Sequence, residues 1–182
     1  MDEKQAILCL KRGDIGGLEV LVGLYQVRAV RTAYLITRDA ALAEDVAQEA
    51  FLQAYRSIQH FDPDRLFGPW FLRCVVHAAL KAAQKNMSHE DHYSREMTLE
   101  ELFADGASVE EQVEMTEFQG HVWSAMQNLT PRQRAVVVQR YFLDMSEKEM
   151  AAELETPPGT VKWLLHAARE RLRSLLSERI SR

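Results

Sequence analysis

Lys162, His166, Arg169, Arg171 and Arg173 gather cationic or protonatable groups within a short stretch, with Trp163 among them. Such groups hold phosphate oxygens, so this stretch reads as a surface for nucleic acid. A second set is Trp70, Phe71, Arg73, His77, Lys81, Gln84 and Lys85. An aromatic pair there opens a run of basic and polar residues at i, i+4, i+8, i+11 and i+12 counted from Arg73. Bases stack on rings while cations track phosphates, which is what a single strand requires, although on spacing alone Trp70 and Phe71 also read as core aromatics. A third set, Asp45, Gln48 and Glu49 beside Leu52, makes a polar stripe whose simplest reading is a solvated helix face. His89-Glu90-Asp91-His92 offers two histidines at i, i+3, but one such pair without further ligands does not make a metal site. There is no nucleophile elbow and no glycine-rich phosphate loop, so neither an enzyme nor a cofactor is expected.

The elements that must position these groups are helices. Thr130-Pro131-Arg132-Gln133 sets an N-cap Thr before a Pro and a Gln three residues on, and Ser146-Glu147-Lys148-Glu149 repeats the logic. A third start lies in Thr156-Pro157-Pro158-Gly159-Thr160, where two prolines end the preceding helix and Thr156 or Gly159 can cap the basic one. Short helix, tight turn and basic helix is the helix-turn-helix order. Farther upstream, Leu18, Leu21, Val22, Tyr25 and Ala29 form one apolar stripe. Val46, Ala47, Ala50, Phe51, Ala54 and Ile58 form another, leaving Asp45, Gln48, Glu49, Leu52 and Arg56 on the opposite face. Phe61 to Pro69 reads as a turn-rich loop, with a helix starting near Trp70.

The net charge of −5 divides unevenly. Residues 1–92 are close to neutral, 93–121 carry one Lys/Arg against eight Asp/Glu, and 122–182 carry ten against seven. The basic final third is therefore compatible with DNA despite the acidic total, because affinity follows local charge. Cys9 and Cys74, each in an apolar helical pattern, read as small buried thiols rather than a disulfide. No apolar run approaches the about 20 residues of a membrane span, and Met1-Asp2-Glu3-Lys4 does not resemble a signal peptide, so a cytoplasmic protein is expected. The patterns imply an all-α chain: a helical domain over 1–88, a flexible acidic linker over 89–112 and a helix-turn-helix domain over 113–182.

Taken together, Asp45-x-x-Gln48-Glu49-x-Phe51, Phe67-Gly68-Pro69-Trp70-Phe71-Leu72-Arg73, Leu129-Thr130-Pro131-Arg132-Gln133-Arg134, Gly159-Thr160-Val161-Lys162 and Arg169-Glu170-Arg171-Leu172 resemble a bacterial sigma factor of the extracytoplasmic-function (ECF) type, over nearly the whole chain. The resemblance implies an N-terminal bundle like sigma domain two and a C-terminal unit like sigma domain four. Asp45, Gln48, Glu49, Phe51 and Leu52 would dock on the clamp helices of the beta-prime subunit of core RNA polymerase. Phe61, Arg65, Phe67, Trp70, Phe71, Arg73, His77, Lys81 and Lys85 would engage the promoter's −10 element, where an extruded base must be captured. Thr160, Lys162, Trp163, His166, Arg169 and Arg171 would engage the −35 element, and the beta flap and an anti-sigma factor complete the implied partners, with no membrane insertion.

The chain departs from the family's usual residues in places. His77 and Lys81 stand where Asn and Asp are common, Gln84-Lys85 where an arginine pair is common, and Trp163, Leu164 and Ala167 where Ser, Arg and Arg are common. Because Trp163, Leu164 and Ala167 offer few donors or acceptors, the last helix is expected to position DNA more than to specify its sequence. Glu155 stands at a turn position where Gly is usual, costing about 1 kcal/mol if the backbone there is left-handed. Two other functions compete with an alternative sigma factor. An ordinary helix-turn-helix regulator leaves the Asp45 face and the Trp70 helix unexplained, and a sigma-like interaction module would keep the docking face but lose −35 reading.

Overall fold

The computed structural model describes residues 1–86 and 120–180, with side chains to 177. The chain divides into two compact units, Met1–His92 and Tyr93–Arg182. The described residues form helices and turns without a strand, as the apolar periods require.

In the first unit, α1 (Glu3–Lys11), α2 (Gly16–Thr37), α3 (Ala40–Ser57) and α4 (Phe67–Asn86) form a bundle in which α2 packs against the other three. Each boundary has a local cause. Asp2 and Gln5 close a reciprocal capping box, the Gln5 amide donating to Asp2 Oδ1 at 2.8 Å and the Asp2 amide to Gln5 Oε1 at 3.1 Å. Gly13, at φ +85°, turns the chain towards α2. Gly17 then allows α2 to cross α1 closely, because a Cβ there would stand 2.2 Å from the Ala6 carbonyl oxygen. Arg38 ends α2 in a left-handed conformation, and Asp39 caps α3 by accepting from the Leu42 amide at 3.2 Å.

The expected stripe of α3 is buried throughout: Val46, Ala47, Ala50, Phe51, Ala54 and then Ile58. Leu21, Tyr25 and Ala29 of α2 are buried, whereas Leu18 and Val22 are half-buried. A short 3-10 turn, Ile58–His60, leads into the loop 61–66. α4 starts at Phe67, three residues before the expected position near Trp70. Pro69 hid that start, yet proline fits a first helical turn, where its missing N–H has no intrahelical partner to lose. Cys9 and Cys74 lie on α1 and α4 outside any disulfide, and both are half-buried rather than fully buried.

In the second unit, helical residues 120–126 precede α5 (Pro131–Tyr141), α6 (Glu147–Glu153) and α7 (Pro158–Ile180). Both expected capping boxes are present, Thr130 with Gln133 and Ser146 with Glu149. Val136, Met145, Met150, Ala151, Val161, Leu164 and Leu165 form the core that joins α5, α6 and α7. α6 ends in a Schellman turn: the Thr156 amide donates to the Ala151 carbonyl at 2.9 Å and Glu155 to Ala152 at 3.3 Å, with Glu155 at φ +47°. The left-handed backbone expected at Glu155 is therefore real. α7 starts at Pro158, so neither Thr156 nor Gly159 occupies the capping position; Gly159 lies inside the first turn. The expected linker, His89 to His92 and the region 110–119 lie outside the described residues.

Candidate functional site

On α3, Asp45, Gln48, Glu49 and Leu52 all face solvent, with Leu52 45% exposed. Tyr55 and Arg56 extend the same stripe, and Arg56 Nη1 stands 3.3 Å from Glu49 Oε1. Tyr55 is absent from the expected set although it lies i+3 from Leu52, a spacing that places both on one face. Phe51 is corrected: it is buried, with its ring centroid 4.4 Å from that of Phe71, so it supports the stripe from beneath rather than forming it.

The aromatics expected at the second surface separate in the same way. Phe61, Phe67 and Phe71 are buried. Phe67 and Phe71 stack with centroids 5.6 Å apart, Phe61 meets Phe67 edge-on at 5.6 Å, and Tyr25 closes on both Phe67 and Phe71. Rings enclosed on this scale offer no free face, so Phe61, Phe67 and Phe71, expected to engage the −10 element, instead form the floor beneath Trp70. Trp70 alone in the cluster is half-buried, its ring 4.8 Å from Phe61 and 5.4 Å from Phe67. Packing against two fixed rings sets the indole's orientation while part of it meets solvent. Behind it on α4 run half-buried Arg73 and exposed His77, Lys81, Gln84 and Lys85, so the predicted basic flank exists.

Between the buried Phe61 and Phe67 the chain surfaces. Asp62, Asp64, Arg65 and Leu66 are exposed, Leu66 to 75%. An Asx turn shapes this loop: the Asp64 amide donates to Asp62 Oδ1 at 3.0 Å, the Arg65 amide to the Asp62 carbonyl at 3.0 Å, and Arg65 Nε lies 3.7 Å from Asp62 Oδ2. Gly68 follows with no room for a side chain, since a Cβ would stand 2.8 Å from the Tyr25 ring. The Tyr25 hydroxyl donates to Glu3 Oε2. Burial, reinforced by that bond to Glu3 and by the carboxylate's charge, pushes Tyr25 up to about 12.

In the second unit, Lys162, Trp163, His166 and Arg169 share the exposed face of α7, and Trp163 is 64% exposed. Thr160 is half-buried at its start. Arg171 lies nine residues beyond Lys162, roughly half a turn round the helix, and so leaves this face, while Arg173 joins it and pairs with Glu170. Leu164 is buried in the core with Met145 and Met150, so it does not face a groove at all. Tyr141, which the sequence reading missed, receives a bond from Arg169 Nε at 2.8 Å. Its partner is distant in sequence, and no local spacing announces it.

Residues 21–88 match the family described as Sigma-70 region 2, and residues 120–172 match Sigma-70, region 4. The ECF RNA polymerase sigma factor SigW of Bacillus subtilis is 30% identical over 96% of this chain and 97% of its own length. The chain belongs to the ECF family of RNA polymerase sigma factors. The RNA polymerase sigma factor CarQ of Myxococcus xanthus is 33% identical over 79% of each chain, and the sigma-H factor of Pseudomonas aeruginosa is 29% identical over 92% of this chain and 90% of its own. A solved structure of CnrH in complex with the cytosolic domain of CnrY shares the fold, with TM-score 0.61, 21% identity and 97% of each chain covered. This sigma factor thus binds RNA polymerase and promoter DNA, directing promoter recognition and the initiation of transcription. No helix among the described residues is long and apolar enough to cross a membrane.

Proposed function

We propose that the three surfaces divide the work of initiation. The α3 stripe of Asp45, Gln48, Glu49, Leu52 and Tyr55 docks on the clamp helices of the beta-prime subunit. Exposed carboxylates and amides supply directional bonds, and Leu52 and Tyr55 supply apolar area. The loop 61–66 and the α4 stripe receive the opened −10 strand: Trp70 offers a ring face, Arg65 and Leu66 line the place of an extruded base, and Arg73, His77, Lys81 and Lys85 follow the phosphates. One observation carries this reading. The half-buried Trp70 is held by Phe61 and Phe67 at the head of a basic, exposed helix face.

The α7 face sits in the −35 major groove, where Lys162, His166 and Arg169 hold phosphates and Trp163 makes apolar contact with base edges. An indole donates one N–H and accepts nothing, so it discriminates weakly and DNA shape supplies part of the selectivity. The second unit also engages the beta flap. By analogy with CnrH in its complex with the cytosolic domain of CnrY, a partner protein, an anti-sigma factor, holds this chain inactive. The factor adds no catalytic group, and polymerase supplies bond formation. It acts in the cytoplasm, where core polymerase is.

Run-off transcription with core polymerase tests the reading. Wild type initiates at a defined site and Trp70→Ala loses strand opening while retaining polymerase affinity. Equal opening by Trp70→Ala would refute the role of α4, and duplex binding without any need of polymerase would favour an ordinary helix-turn-helix regulator.

A further inference from the structure

Helix α1 lies wholly before residue 21, outside the part of the chain that matches Sigma-70 region 2. It nevertheless bonds the chain just ahead of loop 61–66, approaches the middle of the loop, and reaches the residue beyond it through Tyr25. Ahead of the loop, Lys11 and Gln59 bond reciprocally: Lys11 Nζ donates to the Gln59 carbonyl at 3.1 Å, and Gln59 Nε2 donates to the Lys11 carbonyl at 2.9 Å. Beyond it, Glu3 accepts from the Tyr25 hydroxyl, and the Tyr25 ring and hydroxyl lie where any side chain at Gly68 would be. Between them, Lys4 Nζ approaches Asp64 Oδ1 at 3.7 Å, an exposed pair that contributes little by itself but agrees in direction.

Residues 61–66 carry few backbone bonds of their own beyond the Asx turn, so the placement of Arg65 and Leu66 depends on where the chain enters and leaves. A loop whose ends are fixed has fewer conformations to lose when it captures a base, which preserves binding free energy for the capture. We propose that α1 is a positioning element for strand opening, its Lys11–Gln59 and Glu3–Tyr25–Gly68 contacts clamping the two ends of the base-capturing loop. Tyr25 and Gln59 are the positioning residues. Neither lies on the α3 stripe, so polymerase docking is independent of them. This inference rests on the proposed role of the loop in capturing the −10 strand.

The test uses the full chain bound to core RNA polymerase and a promoter duplex recovered by run-off selection with the wild-type holoenzyme, carrying 2-aminopurine in its −10 element. Tyr25→Phe and Gln59→Leu should each reduce strand opening roughly threefold to tenfold, the factor a net hydrogen bond carries, at unchanged affinity for core polymerase. Ile36→Val or Ile36→Ala, buried on α2 in the same unit, serves as control for the variant matched in Tm and should open normally. Wild-type opening by both Tyr25→Phe and Gln59→Leu would overturn the clamp, as would an equal loss in the Ile36 control. Leu66→Ala, at an exposed position within the loop, separates the two readings. If it abolishes opening while the α1 contacts prove dispensable, only the clamp fails, whereas if Leu66→Ala opens normally, the role of the loop itself falls.

Discussion

Arg169 Nε donates to the Tyr141 hydroxyl at 2.8 Å, and the guanidinium carbon lies 5.9 Å from the centroid of the same ring. The contact joins the end of α5 to the exposed face of α7 and points the cation proposed to hold phosphate along a fixed direction. A guanidinium held by one N–H keeps other donors available for DNA. Arg169→Ala should weaken −35 duplex binding uniformly across sequences and reduce the salt slope by about 1. Tyr141→Phe should leave the slope unchanged and weaken binding only a few-fold, because the ring remains. Fluorescence anisotropy at several salt concentrations checks both; an unaltered slope in Arg169→Ala would remove that residue from the phosphate contacts.

Leu164 stands where the family commonly has Arg, but its burial among Val136, Met145 and Met150 makes it a core residue. Leu164→Ala should destabilise the second unit by about 2–4 kcal/mol, and Leu164→Arg should prevent its folding by burying a charge without a partner. Trp163→Ser, on the exposed face, should change stability little and alter −35 preference instead. Thermal unfolding followed by circular dichroism separates these outcomes.

Glu155 at φ +47° closes the Schellman turn after α6. Glu155→Gly should stabilise the unit by about 0.5–1 kcal/mol by removing the left-handed penalty of a Cβ, whereas Glu155→Ala should give no such gain. A Gly variant no more stable than Ala would show that the turn carries no strain.

Gln139 is fully buried on α5, and among the described residues neither atom of its side-chain amide has a partner. Burying such an amide costs about 1–3 kcal/mol, so Gln139→Met, of similar length, should raise the midpoint of denaturant unfolding. A lower midpoint would show that the amide is satisfied by a group such as an internal water.

Tyr25 keeps its proton to about pH 12 in the folded chain, against about 10 when unfolded. The folded state therefore binds the proton more tightly. Its contribution is complete below pH 10 and is lost as pH rises from 10 towards 12. Denaturant titrations across that range should show a falling stability that Tyr25→Phe flattens; identical slopes for the two proteins would detach the effect from this phenol.

The order of the helices, both capping boxes, the amphipathic division of α3 and the basic flank of α4 were legible in the sequence because each rests on interactions within a few residues. A cap joins groups three positions apart, and a helical face repeats every three or four. Resemblance to a known family added what those faces are expected to bind. Tertiary packing decided which chemistry-bearing side chains remain available. Phe71 and Trp70 are neighbours with equivalent sequence claims, yet Phe51 and Phe67 enclose the first while the second stays half-buried. Leu164 and Trp163 divide the same way, because the axial rotation of α7 is set by the depth of Leu165 and Val161 in the core. The bonds from Lys11 to Gln59, Glu3 to Tyr25 and Arg169 to Tyr141 span tens of residues. No periodicity encodes such pairs; they exist only where the packed helices bring their ends together.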